Sequence, residues 1–169
     1  MQPNHLNYQR LKDLEKLLKI LYKKLAVLEE ELAIRASAID KLELVYRIRE
    51  TRIEILKKEA EYEKIRSKEI DEVIEISNVD ANKAIVQITQ GIKHIENISP
   101  EHYPDPENLY LLLTELHKIL NHREKTAQAK LKIALPIIPL LASYELEMDT
   151  EAFLVEVWSA IKSMVRRKA

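Results

Sequence analysis

Histidines and a basic triplet are the side chains with the clearest chemical potential in this chain of 169 residues. A His-Glu-x-x-His pattern on a helix would bind zinc, and Glu-x-x-His pairs on facing helices would bind a di-iron centre. Neither pattern occurs, because no histidine has a glutamate three residues before it. His117 and His122 are five residues apart and would point to different faces of a helix. We therefore expect no metal site and no cofactor.

Other kinds of catalytic site are also disfavoured by composition. The chain has no cysteine, which removes thiol nucleophiles and cysteine-based zinc sites, and its single glycine is Gly91. Phosphate-cradling loops need several glycines, so a P-loop and a dinucleotide fingerprint are excluded. The acidic residues alternate with basic ones at helical spacing, as in Glu54 and Lys58, which is typical of a solvated helix face. The sequence therefore predicts a protein that is not an enzyme.

The basic triplet, Arg166, Arg167 and Lys168, could contact a phosphate backbone, as could the pair Lys23 and Lys24. At the end of a predicted helix, however, cations also stabilise the helix dipole without any ligand. The formal net charge is −1, whereas a nucleic-acid-binding protein usually carries a positive excess. Nucleic acid is therefore a possible partner but not the favoured one.

The elements that would position these residues are helices, and the strongest signal is a leucine seam near the start. Its members follow steps of three and four residues, the heptad spacing that keeps one stripe of a helix against a partner helix. A seam of this length must be covered, either by the same chain or by another one. The seam comprises Leu11, Leu14, Leu18, Leu21, Leu25, Leu28 and Leu32.

A second long helix should follow after a very short connection. The pattern breaks around residues 36–38, and Ser37 followed by Asp40 resembles a capping box. A three-four stripe then continues, with Arg49 in one position, and a connection this short requires an antiparallel return. We interpret residues 1–76 as a long antiparallel hairpin whose second helix runs to about Ile76. The stripe consists of Ile39, Leu42, Tyr46, Ile53, Leu56 and Ala60.

Residues 77–169 should form a C-terminal helical bundle packed on the hairpin or continuous with it. Helix starts are predicted at Ser77, at Asp105-Pro106 and at Asp149. The predicted fold is therefore all-α, with about six helices in total. The run from Ile133 to Leu141 is apolar on all sides, so we expect it at the centre of the bundle core, with Pro136 kinking or ending its helix. The alternative is a membrane-inserting segment.

The hairpin sequence resembles helical segments of bacterial multidomain conflict proteins. The similarity covers roughly residues 10–65 and is carried by the runs from Leu21 to Ile34 and from Lys41 to Glu50. In that group a small helical module accompanies a caspase-like, TIR or STAND-type NTPase domain. The resemblance implies an adaptor in a defence system and supplies no catalytic residues.

Three functions remain open from the sequence. The first is a cytoplasmic interaction module that self-associates or recruits a protein partner through helical surfaces. The second is a helical subunit of a nucleic-acid-binding complex, and the third is a membrane-active bundle that releases the segment Ile133–Leu141. The wide apolar seam and the lack of a catalytic constellation favour the first.

Overall fold

The computed structural model describes residues 5–69, 73–148 and 153–168. Within them the chain is all-α apart from one small antiparallel sheet. The helices are α1 (His5–Ile34), α2 (Ala38–Glu69), α3 (Asn78–Glu96), α4 (Pro106–Leu120), α5 (Ala127–Ala134), α6 (Ile138–Glu147) and α7 (Phe153–Met164); a 3₁₀ turn spans Pro100–His102, and the strands are β1 (Val73–Glu75) and β2 (Arg166–Lys168).

Helices α1 and α2 form the predicted long antiparallel hairpin. Ion pairs join opposite positions along it: Arg10 Nε lies 2.8 Å from Glu61 Oε1 near the base, and Arg52 Nη2 lies 3.1 Å from Glu29 Oε1 farther out. With 30 residues in α1, the hairpin is roughly 45 Å long. These pairs are exposed and add little stability, so the apolar seam between the helices holds the hairpin together.

The face that α2 turns toward the leucine seam differs from the one predicted. Leu44 and Ile48 are buried against Leu28 in a small cluster of their own. The predicted stripe lies on another face of α2, where Ile53 and Leu56 join the main core of the bundle. Residues follow one another by about 100° around a helix, so one helix can carry two apolar faces with interleaved spacing. Helix α2 uses one face for α1 and the other for the bundle.

The main core lies between α2 and the C-terminal helices, with α6 in the middle. Ile138 and Leu141 are fully buried, so the apolar run is the core segment that the sequence predicted, except at its first residue, Ile133, which is 39% exposed. Pro136 falls between α5 and α6, and the predicted single helix is therefore two, which gives seven helices among the described residues. Gly91 of α3 lies against α7, where a Cβ atom would come within 2.3 Å of Leu154 Cδ2.

The structure confirms two of the helix starts that the sequence predicts. The Ser77 side chain accepts a hydrogen bond from the N–H of Asp80 at the start of α3, and Asp105 accepts one from the N–H of Asn108 at the start of α4. Asp105 has a positive φ of 54°, which an aspartate tolerates better than most residues. The predicted cap at Asp149 lies outside the described residues.

Two predicted helix ends are wrong. Helix α2 (Ala38–Glu69) does not run to Ile76, because Val73–Glu75 form β1. The basic triplet does not end a helix either, because it forms β2 and pairs with β1, with Glu75 opposite Arg166. The sheet ties the end of the hairpin to the end of the bundle. Three-residue strands have no periodicity by which the sequence could reveal them.

Two leucines of the hairpin test which face of each helix is used for folding. Leu14 is 0% exposed and Leu42 is 71% exposed. We expect Leu14→Ala to lower the free energy of unfolding by about 2–5 kcal/mol. The matched variant Leu42→Ala should change it by less than about 0.5 kcal/mol. Urea denaturation followed by circular dichroism measures both, and equal losses would contradict the assignment of faces.

Gly91 provides a second test of packing. Alanine favours a helix, yet its methyl group would overlap the buried side chain of Leu154, so we expect Gly91→Ala to destabilise the chain by about 1–3 kcal/mol. In a Leu154→Ala background the same change should cost clearly less, because the obstructing atoms are gone. Exposed Gln90→Ala in the same helix is the control. Equal costs in both backgrounds would show that this contact is not the cause.

Candidate functional site

The hairpin extends beyond the bundle as an arm. The main core reaches no farther toward the hairpin tip than Ile53 on α2. Beyond it, Leu28, Leu44 and Ile48 form their own small cluster, with Leu25 and Leu32 packed on it. We call residues 26–51 the distal arm. About 20 Å of α2, from Ala38 to Thr51, belongs to it.

An uncovered apolar surface lies on the α2 side of this arm. Ile39 is 78% exposed, Leu42 71%, Val45 51% and Tyr46 55%. We call these four residues the distal stripe. Single exposed apolar residues are ordinary on a protein surface, but four on one side of about two helical turns form a contiguous patch. Such a patch is a candidate site of contact.

The distal stripe continues the face that the bundle covers. Helical spacing places Leu42 and Tyr46 on the same side of α2 as Ile53 and Leu56, whose side chains are buried in the main core. The face is thus buried at the base of the hairpin and exposed toward its tip. The face is apolar along its whole length, and the difference is that other helices cover it only at the base.

Charged residues border the distal stripe. Helical spacing puts Glu43 and Glu50 along one edge, where Glu43 Oε1 lies 2.8 Å from Arg47 Nη2. Arg49, which falls within the stripe, is half-buried and its guanidinium carbon lies 5.7 Å from the centre of the Tyr46 ring. The stripe therefore has an apolar centre and a rim of both charges, as protein interfaces have.

A shallow cleft of about 540 Å³ opens beside the stripe, between α1 and α2. Its lining includes Tyr46 and Ile53 from the stripe face, together with Lys24 and Lys57. The mixture of aromatic, apolar and charged groups suits a protein surface better than a small-molecule pocket, which is more enclosed and more apolar.

The predicted interaction seam packs inside the hairpin, between α1 and α2. Four of its leucines are buried and the other three are half-buried, facing α2. The seam thus contributes to folding, and the distal stripe lies on the other helix of the hairpin, α2. The buried members are Leu11, Leu14, Leu21 and Leu28, and the half-buried ones are Leu18, Leu25 and Leu32.

The basic triplet has a structural use that its sequence does not reveal. Arg167 forms an ion pair with Glu63, whose side chain is 10% exposed, and Arg166 pairs through its backbone with Glu75. A neighbouring pair joins Lys162 Nζ to Glu59 Oε2 at 2.9 Å. These contacts fasten α7 and β2 to α2. Phosphate contact by the triplet remains a prediction, for which Arg167 would have to exchange partners.

A histidine–carboxylate pair, which the sequence does not single out, joins α3, α6 and α7. Glu145 Oε1 accepts a hydrogen bond of 2.8 Å from the N–H of Leu154, and Glu145 Oε2 lies 3.3 Å from His94 Nδ1. The Glu145 side chain is 1% exposed, and burial raises the pKa of this carboxyl above its usual range, although the hydrogen bonds to Leu154 and His94 act against the shift. Glu145 thereby caps the first turn of α7 from within the core.

Two other kinds of site have no counterpart in the part of the chain that the structure describes. No group of three or more histidine or acidic side chains is placed to hold a metal ion there. Across the same residues, no helix has the length and apolar character needed to cross a membrane. The distal stripe is the feature with the clearest functional character.

Comparison of the chain with protein-family models, with curated proteins and with solved structures finds no match.

Replacing Glu145 tests its role at the start of α7. Glu145→Ala leaves the buried N–H of Leu154 without an acceptor, and we expect a loss of about 1–3 kcal/mol in the free energy of unfolding. Glu145→Gln keeps an acceptor oxygen and should cost less. Chemical denaturation of both variants measures the difference.

The raised pKa of Glu145 also predicts a pH dependence. From the ordinary value of 4.5 upward, the folded chain retains a proton that the unfolded chain releases. The free energy of unfolding of the wild type should therefore fall with rising pH relative to that of Glu145→Gln. Parallel profiles of the two proteins would show that this carboxyl titrates normally in the folded state.

Proposed function

We propose that the protein is a non-enzymatic helical interaction module, and that the distal arm of its hairpin makes the contact with another polypeptide. The bundle serves as the base from which the arm extends. The observation that carries the proposal is the distal stripe: an apolar face of α2 that α6 and its neighbours cover at the base and that is exposed from Ile39 to Tyr46.

The energetics of the stripe agree with a role in binding. Burying an exposed side chain of the size of leucine or isoleucine contributes about 1.5–3 kcal/mol when it is fully covered. The four stripe residues can therefore supply most of the apolar contribution of a moderate interface. They stabilise the folded monomer little, because they already lie in water. Selection for folding alone does not account for their positions on the arm.

The resemblance of the hairpin to modules of bacterial conflict proteins supports a more specific form of the proposal. In this form the protein is an adaptor of a defence system that recruits or assembles an effector in the cytoplasm. The arm would present the distal stripe to a helical partner, and the bundle would remain unchanged on binding.

A charge placed in the stripe tests the proposal. Tagged wild-type protein and Leu42→Glu are incubated with an extract of the source cells, and retained proteins are quantified by mass spectrometry. We expect Leu42→Glu to reduce retention of the partner at least about tenfold, because a carboxylate cannot be buried there without a counter-charge. Leu111→Glu is the control, since Leu111 is a similarly exposed leucine (64%) on α4 of the bundle.

Circular dichroism and thermal unfolding must first show that both variants fold like the wild type. Retention of the same proteins in the same amounts by all three forms would contradict a role for the arm. Equal losses with Leu42→Glu and Leu111→Glu would place the contact outside the arm as well.

A further inference from the structure

We propose that His94 and Glu145 form a pH-sensitive contact, which holds the start of α7 against α3 and α6 while the pair carries a proton and loosens when that proton is lost. The inference goes beyond the proposed function and does not involve the distal stripe. It rests on the position of one buried carboxylate between three helices.

The first turn of α7 is held by two other helices. Leu154 donates its backbone N–H to Glu145 Oε1 of α6 over 2.8 Å, and its side chain lies against Gly91 of α3. The ring centre of Phe153, the preceding residue, lies 6.3 Å from that of His94. His94 Nδ1 lies in turn 3.3 Å from Glu145 Oε2, so one carboxylate joins α3, α6 and α7.

The pair has one member in the core and one at the surface. The Glu145 side chain is 1% exposed, whereas that of His94 is 37% exposed. Protons can therefore reach the imidazole from water although the carboxylate is enclosed. Histidine is the side chain that ordinarily changes charge between about pH 5 and 8, so the pair can respond to pH in that range.

Other titratable side chains near Glu145 cannot replace the imidazole. Glu156 of α7 repels the Glu145 carboxylate, and Tyr103, before α4, stays neutral because burial raises its pKa. On α6 itself, Glu147 is paired with Lys57 of α2 at 3.0 Å. Among these groups the imidazole is the one that can offset the charge of the buried carboxylate.

One proton makes the pair neutral overall. The proton lies either on the imidazole, as an ion pair with the carboxylate, or on the carboxyl group beside a neutral imidazole. In both forms the two side chains can hydrogen-bond to each other, and Glu145 still accepts the N–H of Leu154. Loss of the proton leaves a net negative charge in the core, which is costly without a compensating charge.

This negative charge acts against the closed position of α7. Burial raises the pKa of Glu145 and the charge of Glu156 adds to the shift, whereas the N–H of Leu154 and the imidazole of His94 lower it. Movement of the first turn of α7 away from α6 would let water solvate the carboxylate. Because the pKa is raised in the closed form, the contact is stronger in mild acid and is lost as the pH rises.

The far end of α7 is tied independently of the pair. Lys162 Nζ lies 2.9 Å from Glu59 Oε2, and Arg167 of β2 pairs with Glu63. Release should therefore begin at the first turns of α7 and uncover the apolar surface of α3 that Leu154 covers. The later part of the helix stays on α2.

Hydrogen exchange of the full chain, followed by mass spectrometry between about pH 5 and 8, tests the proposal. Rates are divided by the intrinsic exchange rate at each pH. For the wild type we expect the protection of residues 153–158 to fall at least about tenfold over this range, and that of Pro106–Leu120 in α4 to fall less than about twofold. Equal falls in both segments would overturn the proposal, because the effect would then be global.

Two variants show whether the pair is the cause. Glu145→Gln has no proton to lose, so protection at the start of α7 should vary less than about twofold with pH. His94→Gln removes the titrating ring and should move the midpoint of the loss to lower pH by about one unit or more. A profile like that of the wild type in His94→Gln would overturn the proposal. This variant decides even if Glu145→Gln does not fold, because His94 lies partly at the surface.

His117→Gln is the matched control. His117 Nε2 lies 2.6 Å from Glu96 Oε1, but both side chains are exposed, so water solvates each charge. We expect this variant to leave the pH profile of α7 unchanged, and a shift as large as that of His94→Gln would contradict the assignment. All of these variants leave the distal stripe intact, so their outcome is independent of the proposed function.

Discussion

The architecture depends on the burial of two faces of α2 at once. One face, with Leu44 and Ile48, closes the hairpin against α1. Another, with Ile53 and Leu56, forms one wall of the main core against the C-terminal helices. Since a single helix joins both hydrophobic units, the direction of the arm is set by the packing of its base. The distal stripe is thereby held in a fixed position relative to the bundle.

Ion pairs between α2 and the C-terminal segment make this packing specific. Glu59 and Glu63 on α2 are nearly buried, and each has a basic partner from the C-terminal segment, Lys162 and Arg167. A buried carboxylate without its partner is costly, whereas apolar contacts alone would tolerate sliding of α7 along α2. The pairs therefore define one register between hairpin and bundle, and the short sheet of β1 and β2 reinforces it.

The sequence predicts most of the fold because its signals are local. Heptad spacing identifies the hairpin, and the helix starts at Ser77 and Asp105 follow from side chains that accept backbone hydrogen bonds. The face of α2 that packs on α1 is harder to predict, because two apolar patterns interleave along this helix. Only the positions of the other helices decide which pattern faces α1 and which faces the bundle. The three-four spacing of Ile39, Leu42 and Tyr46 therefore predicts a place in the hairpin interface, whereas the structure has them exposed on a different face of α2.

Long-range partners explain the other differences. Arg167 resembles a helix-terminal cation in the sequence, and nothing near it indicates Glu63, which lies about a hundred positions away. The contact of Glu145 with the first turn of α7 likewise depends on how α6 and α7 meet. One signal is present in the sequence: Glu145 follows a long apolar run, and a carboxylate that is buried with such a run needs a partner.

The small cluster of Leu28, Leu44 and Ile48 is separate from the main core among the described residues. The length of the arm can therefore change without a change in the core of the bundle. Insertion of one heptad into each helix of the arm would lengthen it by about 10.5 Å and preserve the alignment of its faces. The bundle would not need to change. The length of the arm is thus physically independent of the bundle that supports it.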